Sequence, residues 1–205
     1  YDVLDEHRHA GLLSREFYAI GLPKLGTKHW ASIGEWVQTV DVIGNELIDP
    51  AALAGTPVGE VYEAYRATLD RYHFLTFGLI ISCAVEALED PNTFARVHDP
   101  LRYLFVDEYQ DINPAQERLI DLLATRPLEP CVVGDDDQAI YQWRGSDVSN
   151  IVEFTKHRPG AATQTLEENR RSRPSIIATA NDFAQKIPAR LPKSMQPVRA
   201  PAGPE

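Results

Sequence analysis

Two short apolar runs, each ending abruptly in acids, constrain this chain more than any other feature. The first, Tyr103-Leu104-Phe105-Val106, runs into Asp107-Glu108-Tyr109-Gln110-Asp111. The second, Cys131-Val132-Val133, runs into Gly134-Asp135-Asp136-Asp137-Gln138 and on through Ala139-Ile140-Tyr141-Gln142-Trp143-Arg144-Gly145. Buried parallel strands read as continuous apolar runs, and in open α/β sheets ligands bind at the carboxyl edge where such strands end. The first strand delivers two adjacent carboxylates there, suited to a metal ion and a water. The second delivers acids and an amide, followed by an aromatic and an arginine.

The segments around these runs alternate as a parallel sheet requires. Asn113 is a good N-cap, Pro114 suits the first helical position and Gln116 completes a capping box, with Leu119, Ile120, Leu122 and Leu123 on the buried side. Pro127 and Pro130 break the chain before the second strand. Ser146 is expected to cap a helix carrying Val148, Ile151, Val152 and Thr155, ended by Pro159-Gly160. Thr163 to Leu166 is expected as a short strand. Pro174 then opens a helix with Ile176, Ala180, Phe183 and Ile187 inward, closed by Pro188. This order predicts an α/β fold with right-handed crossovers.

The first part of the chain reads as helical. Leu13, Phe17 and Ile20 share one face. Trp30, Ile33, Trp36, Val37 and Val40 form a second stripe, and Val58, Val61, Tyr62, Tyr65, Leu69 and Tyr72 a third. Thr76 is placed to cap a fourth helix through Ile80, Ile81, Val85 and Leu88, with Pro91 beyond its end.

A net charge of −10 over 205 residues means that any nucleic-acid contact must be local. Cys83 and Cys131 sit far apart in apolar runs, which predicts two buried thiols in a reducing, cytoplasmic compartment. His7 and His9 lack a second pair, so a zinc site is not expected. The longest apolar run, around Phe77 to Ala87, is too short to span a bilayer, and no membrane partner is expected. Gly21-Leu22-Pro23-Lys24-Leu25-Gly26-Thr27-Lys28 has the glycine spacing of a phosphate loop. Its last two residues are reversed and it follows a predicted helix, so it reads as an ordinary loop. A start at Tyr1 and a proline-rich end suggest a piece of a longer protein.

Each chemical signal carries a plain alternative. Asp107-Glu108 fits a Mg²⁺ carboxylate beside a water-directing acid, and taken alone it also fits, more commonly, a pair of acids favouring a helix dipole. Gln138 can donate to a phosphate oxygen and accept from water, or simply make a turn. Trp143, flanked by Tyr141 and Arg144, suits stacking on a nucleobase, or packing in a core. Arg171, in Asn169-Arg170-Arg171-Ser172-Arg173, is either part of a solvated cluster or an arginine that reaches a γ-phosphate.

Taken in order, Val106 to Asp111, Val133 to Gly145, and Leu166-Glu167-Glu168-Asn169-Arg170-Arg171-Ser172 resemble motifs II, III and IV of the UvrD/Rep (PcrA-like) superfamily 1 DNA helicases. The resemblance is strongest from Thr76 to Ile187. It implies a partial RecA-like P-loop NTPase sheet with an N-terminal helical subdomain. Residues 1–75 would be a helical 1B-like subdomain, 76–160 the later part of motor domain 1A, and 161–205 the start of motor domain 2A. The implied cofactors are ATP and Mg²⁺, and the implied partners are single-stranded and duplex DNA and the remainder of the helicase chain, including its Walker A segment.

By the same resemblance Asp107 holds Mg²⁺, Glu108 activates water, and Gln138 and Arg144 link the γ-phosphate to the DNA site. Tyr141 and Trp143 face single-stranded DNA, and Arg171 contacts the γ-phosphate. Arg170 stands where the family usually places an aromatic against adenine, and Gln142 replaces the usual glycine before Trp143. No Walker A sequence occurs in these 205 residues, so the chain alone is expected to lack ATPase activity. The implied activity is that of a 3′→5′ translocase. A helicase–nuclease subunit of the AddA/RecB type, or a degenerate module that binds DNA without turnover, are the alternatives.

Overall fold

The computed structural model describes residues 1–26, 28–141, 145–188 and 190–199, so the expectations placed on Gln142, Trp143 and Arg144 lie outside the described residues. The chain divides into two compact units. One is Tyr1–Phe105 with Ile112–Cys131, the other Val106–Asp111 with Val132–Glu205.

The first unit is largely helical. A short strand, β1 (Asp2–Val3), leads to α1 (Glu6–Arg15), α2 (Phe17–Ile20), α3 (His29–Asn45) and α4 (Pro57–Tyr72). Then come β2 (Phe74–Leu75), α5 (Phe77–Leu88), α6 (Pro91–His98), β3 (Leu104–Val106), α7 (Pro114–Leu123) and β4 (Pro130–Val132). The starts follow from local chemistry. Asp5 accepts from Arg8 N at 2.8 Å, Thr56 from Gly59 N at 3.0 Å and Asp90 from Thr93 N at 2.8 Å. The capping box of Asn113 and Gln116 is present with Pro114 in the first turn, as predicted. β1 and β2 pair in parallel, Asp2 opposite Phe74 and Val3 opposite Leu75.

Leu13, Phe17, Ile20, Ile33, Trp36, Val40, Val61, Tyr62, Tyr65 and Leu69 all lie in one apolar core, as the helical stripes predict. The stripe ends depart from it: Trp30 is 69% and Tyr72 37% exposed. Pro91 lies beyond the end of α5, as expected, and also opens α6, which Asp90 caps. Thr76 stands at the N-cap of α5 without capping it, because its hydroxyl engages Tyr65 instead. α3 and α5 cross at glycine: a Cβ on Gly44 would come within 3.3 Å of the Gly78 carbonyl.

The expectation of two buried thiols is corrected. Cys83 is half-buried and Cys131 exposed. Continuous apolar runs predict strands buried on both faces, whereas among the described residues β3 and β4 form a sheet of two strands. Side chains on one face, Phe105 at 72% exposure among them, are therefore uncovered.

The second unit begins where β3 ends. It holds α8 (Ser149–Val152), α9 (Phe154–His157), β5 (Glu168–Asn169), α10 (Pro174–Ala184) and β6 (Gln196–Pro197). β5 and β6 pair in parallel. The helix expected after Ser146 is two short ones interrupted at Glu153. Asp147, not Ser146, accepts from Ser149 N at 2.8 Å, and the Ser146 hydroxyl is buried without a partner. Thr163 to Leu166 is not a strand; pairing begins two residues later and Leu166 is 83% exposed. α10 ends before Ile187, and its buried side carries Ile177 and Ala184 while Ile176 and Phe183 are exposed. Asn181 decides that face. Its side chain donates to Met195 O at 2.9 Å and accepts from Met195 N at 3.0 Å, a backbone-like pairing that hydrophobic spacing does not reveal. The architecture is mixed α/β, with small parallel strand pairs and N-terminal helices, as predicted.

The core histidine sets the acid limit of the first unit. His9 Nε2 lies 2.9 Å from Tyr65 Oη, and burial lowers its pKa from 6.5 to about 4. A depressed histidine leaves the unfolded chain binding protons first. Stability is therefore intact above pH 6.5 and falls as pH drops from there toward 4, by up to roughly 3 kcal/mol. Urea unfolding at stepped pH should show this acid limb, and His9→Asn should flatten it. An identical slope in the variant would mean that His9 is not kept neutral in the core.

Candidate active site

The site grows from one strained residue. Glu108, two residues past the end of β3, has φ 52°, the left-handed region that costs a non-glycine residue about 1 kcal/mol. Its neighbours hold the turn. Glu108 N donates to Asp107 Oδ1 at 2.9 Å, Asp111 N to Glu108 O at 2.9 Å, and Tyr109 N to Val133 O at 3.0 Å. Val133 N in turn donates to Val106 O at 2.8 Å, so the two chain segments run on side by side past the strand ends. Tyr109 is buried, edge-on to Phe154 with ring centres 5.4 Å apart. Asp107 and Glu108 remain exposed.

Gln110 joins the two acidic turns. It is 1% exposed. Its carbonyl accepts from Asp135 N at 3.0 Å, and its amide donates to Glu108 Oε2 at 2.8 Å and to Asp111 Oδ2 at 3.2 Å. Only an amide can do this, because a carboxylate has no donor and a lysine no acceptor. Gly134 makes room: a Cβ there would lie 2.7 Å from Gln110 Oε1 and 3.1 Å from Tyr109 N.

The second turn continues the network. Asp135 Oδ2 accepts from Gln138 Nε2 at 2.7 Å, and its Oδ1 accepts from Asp137 N at 3.2 Å. Glu108, Gln110, Asp135 and Gln138 thus form one connected hydrogen-bonded chain. Two cations from beyond α10 meet the acids. Arg190 grips Asp137 through Nε at 2.8 Å and Nη2 at 2.6 Å, and Lys193 bonds Asp136 and lies 3.1 Å from Asp135 Oδ1. The Arg190 bond holds the Asp137 carboxyl below the usual range. Burial pulls the Lys193 ammonium down, but its bonds to Asp136 and Asp135 outweigh that and raise it.

Apart from Gln138, which sits in the second turn, the remaining candidates lie elsewhere in the unit. Gln138 and Tyr141 are exposed. Arg170 is exposed and paired to Glu168 at 2.5 Å. Arg171 is exposed just after β5, its backbone N–H on Asn169 Oδ1 at 3.0 Å and its carbonyl accepting from Arg199 at 2.8 Å. Trp143 and Arg144 lie outside the described residues. Gln110, Arg190 and Lys193 had no assigned role in the sequence reading. Gln110 could have been found as the one amide in an acidic turn, whereas the two cations lie more than fifty residues from their partners.

Among the described residues no group of three or more His, Cys, Asp or Glu is arranged to hold a metal. An exposed aspartate with hard oxygens still fits Mg²⁺, which takes one or two carboxylates and completes its shell with water and phosphate oxygens. Asp107 and its neighbours fit that group. No described helix is long and apolar enough to cross a membrane.

If Gln110 joins the turns, Gln110→Leu should lower stability by about 2–3 kcal/mol, since Asp135 N–H and the Glu108 carboxylate lose a buried partner together. Urea denaturation checks this, and unaltered stability would remove Gln110 from the network.

Residues 22–159 match the family model of the UvrD/REP helicase N-terminal domain. The chain is 42% identical over 139 residues to the ATP-dependent DNA helicase PcrA of Leuconostoc citreum, covering 67% of this chain and 19% of that protein. Against the PcrA proteins of Staphylococcus epidermidis and Staphylococcus aureus it is 40% identical over the same shares. The chain thus spans about a fifth of the length of these curated relatives. With more than half of its residues matched, and with paired acidic turns on a RecA-like α/β core, the chain belongs to the UvrD/REP helicase N-terminal domain family.

Proposed function

We propose that the chain forms part of an ATP-dependent DNA helicase that couples Mg-ATP hydrolysis to 3′→5′ movement on single-stranded DNA and to duplex unwinding. The observation that carries this reading is the hydrogen-bonded chain from Glu108 through Gln110 and Asp135 to Gln138. It couples a carboxylate able to act on water to an amide able to sense a phosphate. A binding module without turnover has no use for that link.

Asp107 is the residue that would hold Mg²⁺, which when bound neutralises charge on the phosphate oxygens. Glu108 orients the attacking water and takes its proton. Gln138 donates its amide to the γ-phosphate, and Arg144 carries that contact toward the DNA. Tyr141 and Trp143 stack on single-stranded bases. Arg171 reaches the γ-phosphate, and Arg170 lies on the adenine side, where its planar guanidinium can stack. In this reading 1–75 is the helical subdomain, 76–160 belongs to the first motor domain and 161–205 opens the second. The Walker A loop and the rest of the second motor domain come from residues outside these 205, so the isolated chain should not turn over ATP. The glycine-spaced stretch at Gly21 does not substitute for that loop: Leu22–Leu25 is a 3₁₀ turn and Lys24 is paired to Glu60 at 2.7 Å.

Two variants of the full-length protein test these roles. Glu108→Gln should lower DNA-stimulated ATP hydrolysis by roughly 10²–10⁴-fold while ATP still binds; normal turnover would refute the role given to Glu108. Trp143→Ala should weaken single-strand binding by about 1–3 kcal/mol and uncouple hydrolysis from unwinding. Unwinding at the unaltered rate would make Trp143 a packing residue.

A further inference from the structure

The turn that carries Gln138 does not hold its shape alone. Asp135, Asp136 and Asp137 crowd three carboxylates into a single 3₁₀ turn, where like charges drive one another apart. Two cations oppose this. Lys193 Nζ lies 3.1 Å from Asp135 and 3.4 Å from Asp137 and bonds Asp136 directly. Arg190 takes Asp137 with two nitrogens, and Leu191 N donates to Asp136 Oδ2 at 2.7 Å. The pairs on Asp136 and Asp137 are shielded from water, with Arg190 and Asp137 17% exposed, Lys193 21% and Asp136 3%, while Asp135 is more open at 36%. Asp135 is the junction, one oxygen on the Gln138 amide and the other facing Lys193. Both cations lie beyond residue 159, the end of the segment matched by the family model.

We propose that Lys193, supported by Arg190, is a positioning residue for ATP hydrolysis: it fixes Asp135 and through it the Gln138 amide, so that it sets kcat and leaves nucleotide affinity nearly untouched. This rests on the role given to Gln138 above. Lys193 touches no reacting atom. Its ammonium neutralises the turn so that Asp135 keeps one oxygen for the glutamine, and Arg190 holds the neighbouring acid out of the way.

The test uses the full-length protein with single-stranded DNA, reading kcat and KM for ATP together with thermal midpoint. Lys193→Met should lower kcat about 10- to 100-fold, and Lys193→Arg should restore most of it. KM should stay within about threefold, and in a Gln138→Ala background Lys193→Met should cost less than about threefold more, because the two act as one unit. Should Lys193→Met fail to fold, Lys193→Gln combined with Asp136→Asn removes one charge from each side and carries the same cycle. A loss of kcat in Gln138→Ala with none in the Lys193 variant overturns this inference alone, as does an additive double variant. No loss in either overturns the role of Gln138 as well.

Discussion

Acid-bearing strand ends can lie side by side only if something neutral or positive stands between them. Here that constraint is met by one buried amide. Gln110 offers its carbonyl to the backbone of one turn and its amide to the carboxylates of the other, at 2.8–3.2 Å. Replacing it by an acid would add a seventh carboxylate to Asp107, Glu108, Asp111, Asp135, Asp136 and Asp137. Replacing it by an apolar residue would strand a buried donor. The position therefore requires a side chain that donates and accepts at once, and the turn geometry, including the left-handed φ of Glu108, is built around it. Strain of this kind persists where surrounding bonds over-determine a residue, and it clusters at working sites. A helix-favouring turn at Glu108 would be easier to form but would aim the carboxylate elsewhere.

Features that depend on neighbours in sequence were legible before the fold was known. The Asn113–Gln116 capping box, the stripe Val61, Tyr62, Tyr65 and Leu69, and the two acid-ended runs all rest on spacing within a few residues. Features that depend on partners far along the chain were not. Nothing near Asp136 announces Lys193, and nothing near Ile176 announces that Asn181 will turn the helix so that Ile177 faces inward. Cys131 is exposed for a related reason. An apolar run predicts a buried strand only if layers cover both its faces, and a two-stranded pair leaves one face bare. At the site, residue types showed which atoms could do chemistry, but not how Glu108 and Gln138 are joined, since Gln110 acts through tertiary hydrogen bonds.

The two units solve opposite electrostatic problems. In the first, a titratable group is kept neutral: His9 sits in an apolar core against Tyr65, and its pKa near 4 records the cost of charging it there. In the second, groups are kept charged: Arg190 holds Asp137 below the usual carboxylate range, so that pair survives until pH falls beneath the ordinary aspartate value of 3.8. Acidification from pH 6.5 toward 4 therefore weakens the helical core while the Arg190–Asp137 pair still stands. The pH sensitivity thus falls on a histidine held by packing and by its hydrogen bond to Tyr65, whereas the Arg190–Asp137 pair keeps its charge through the same range.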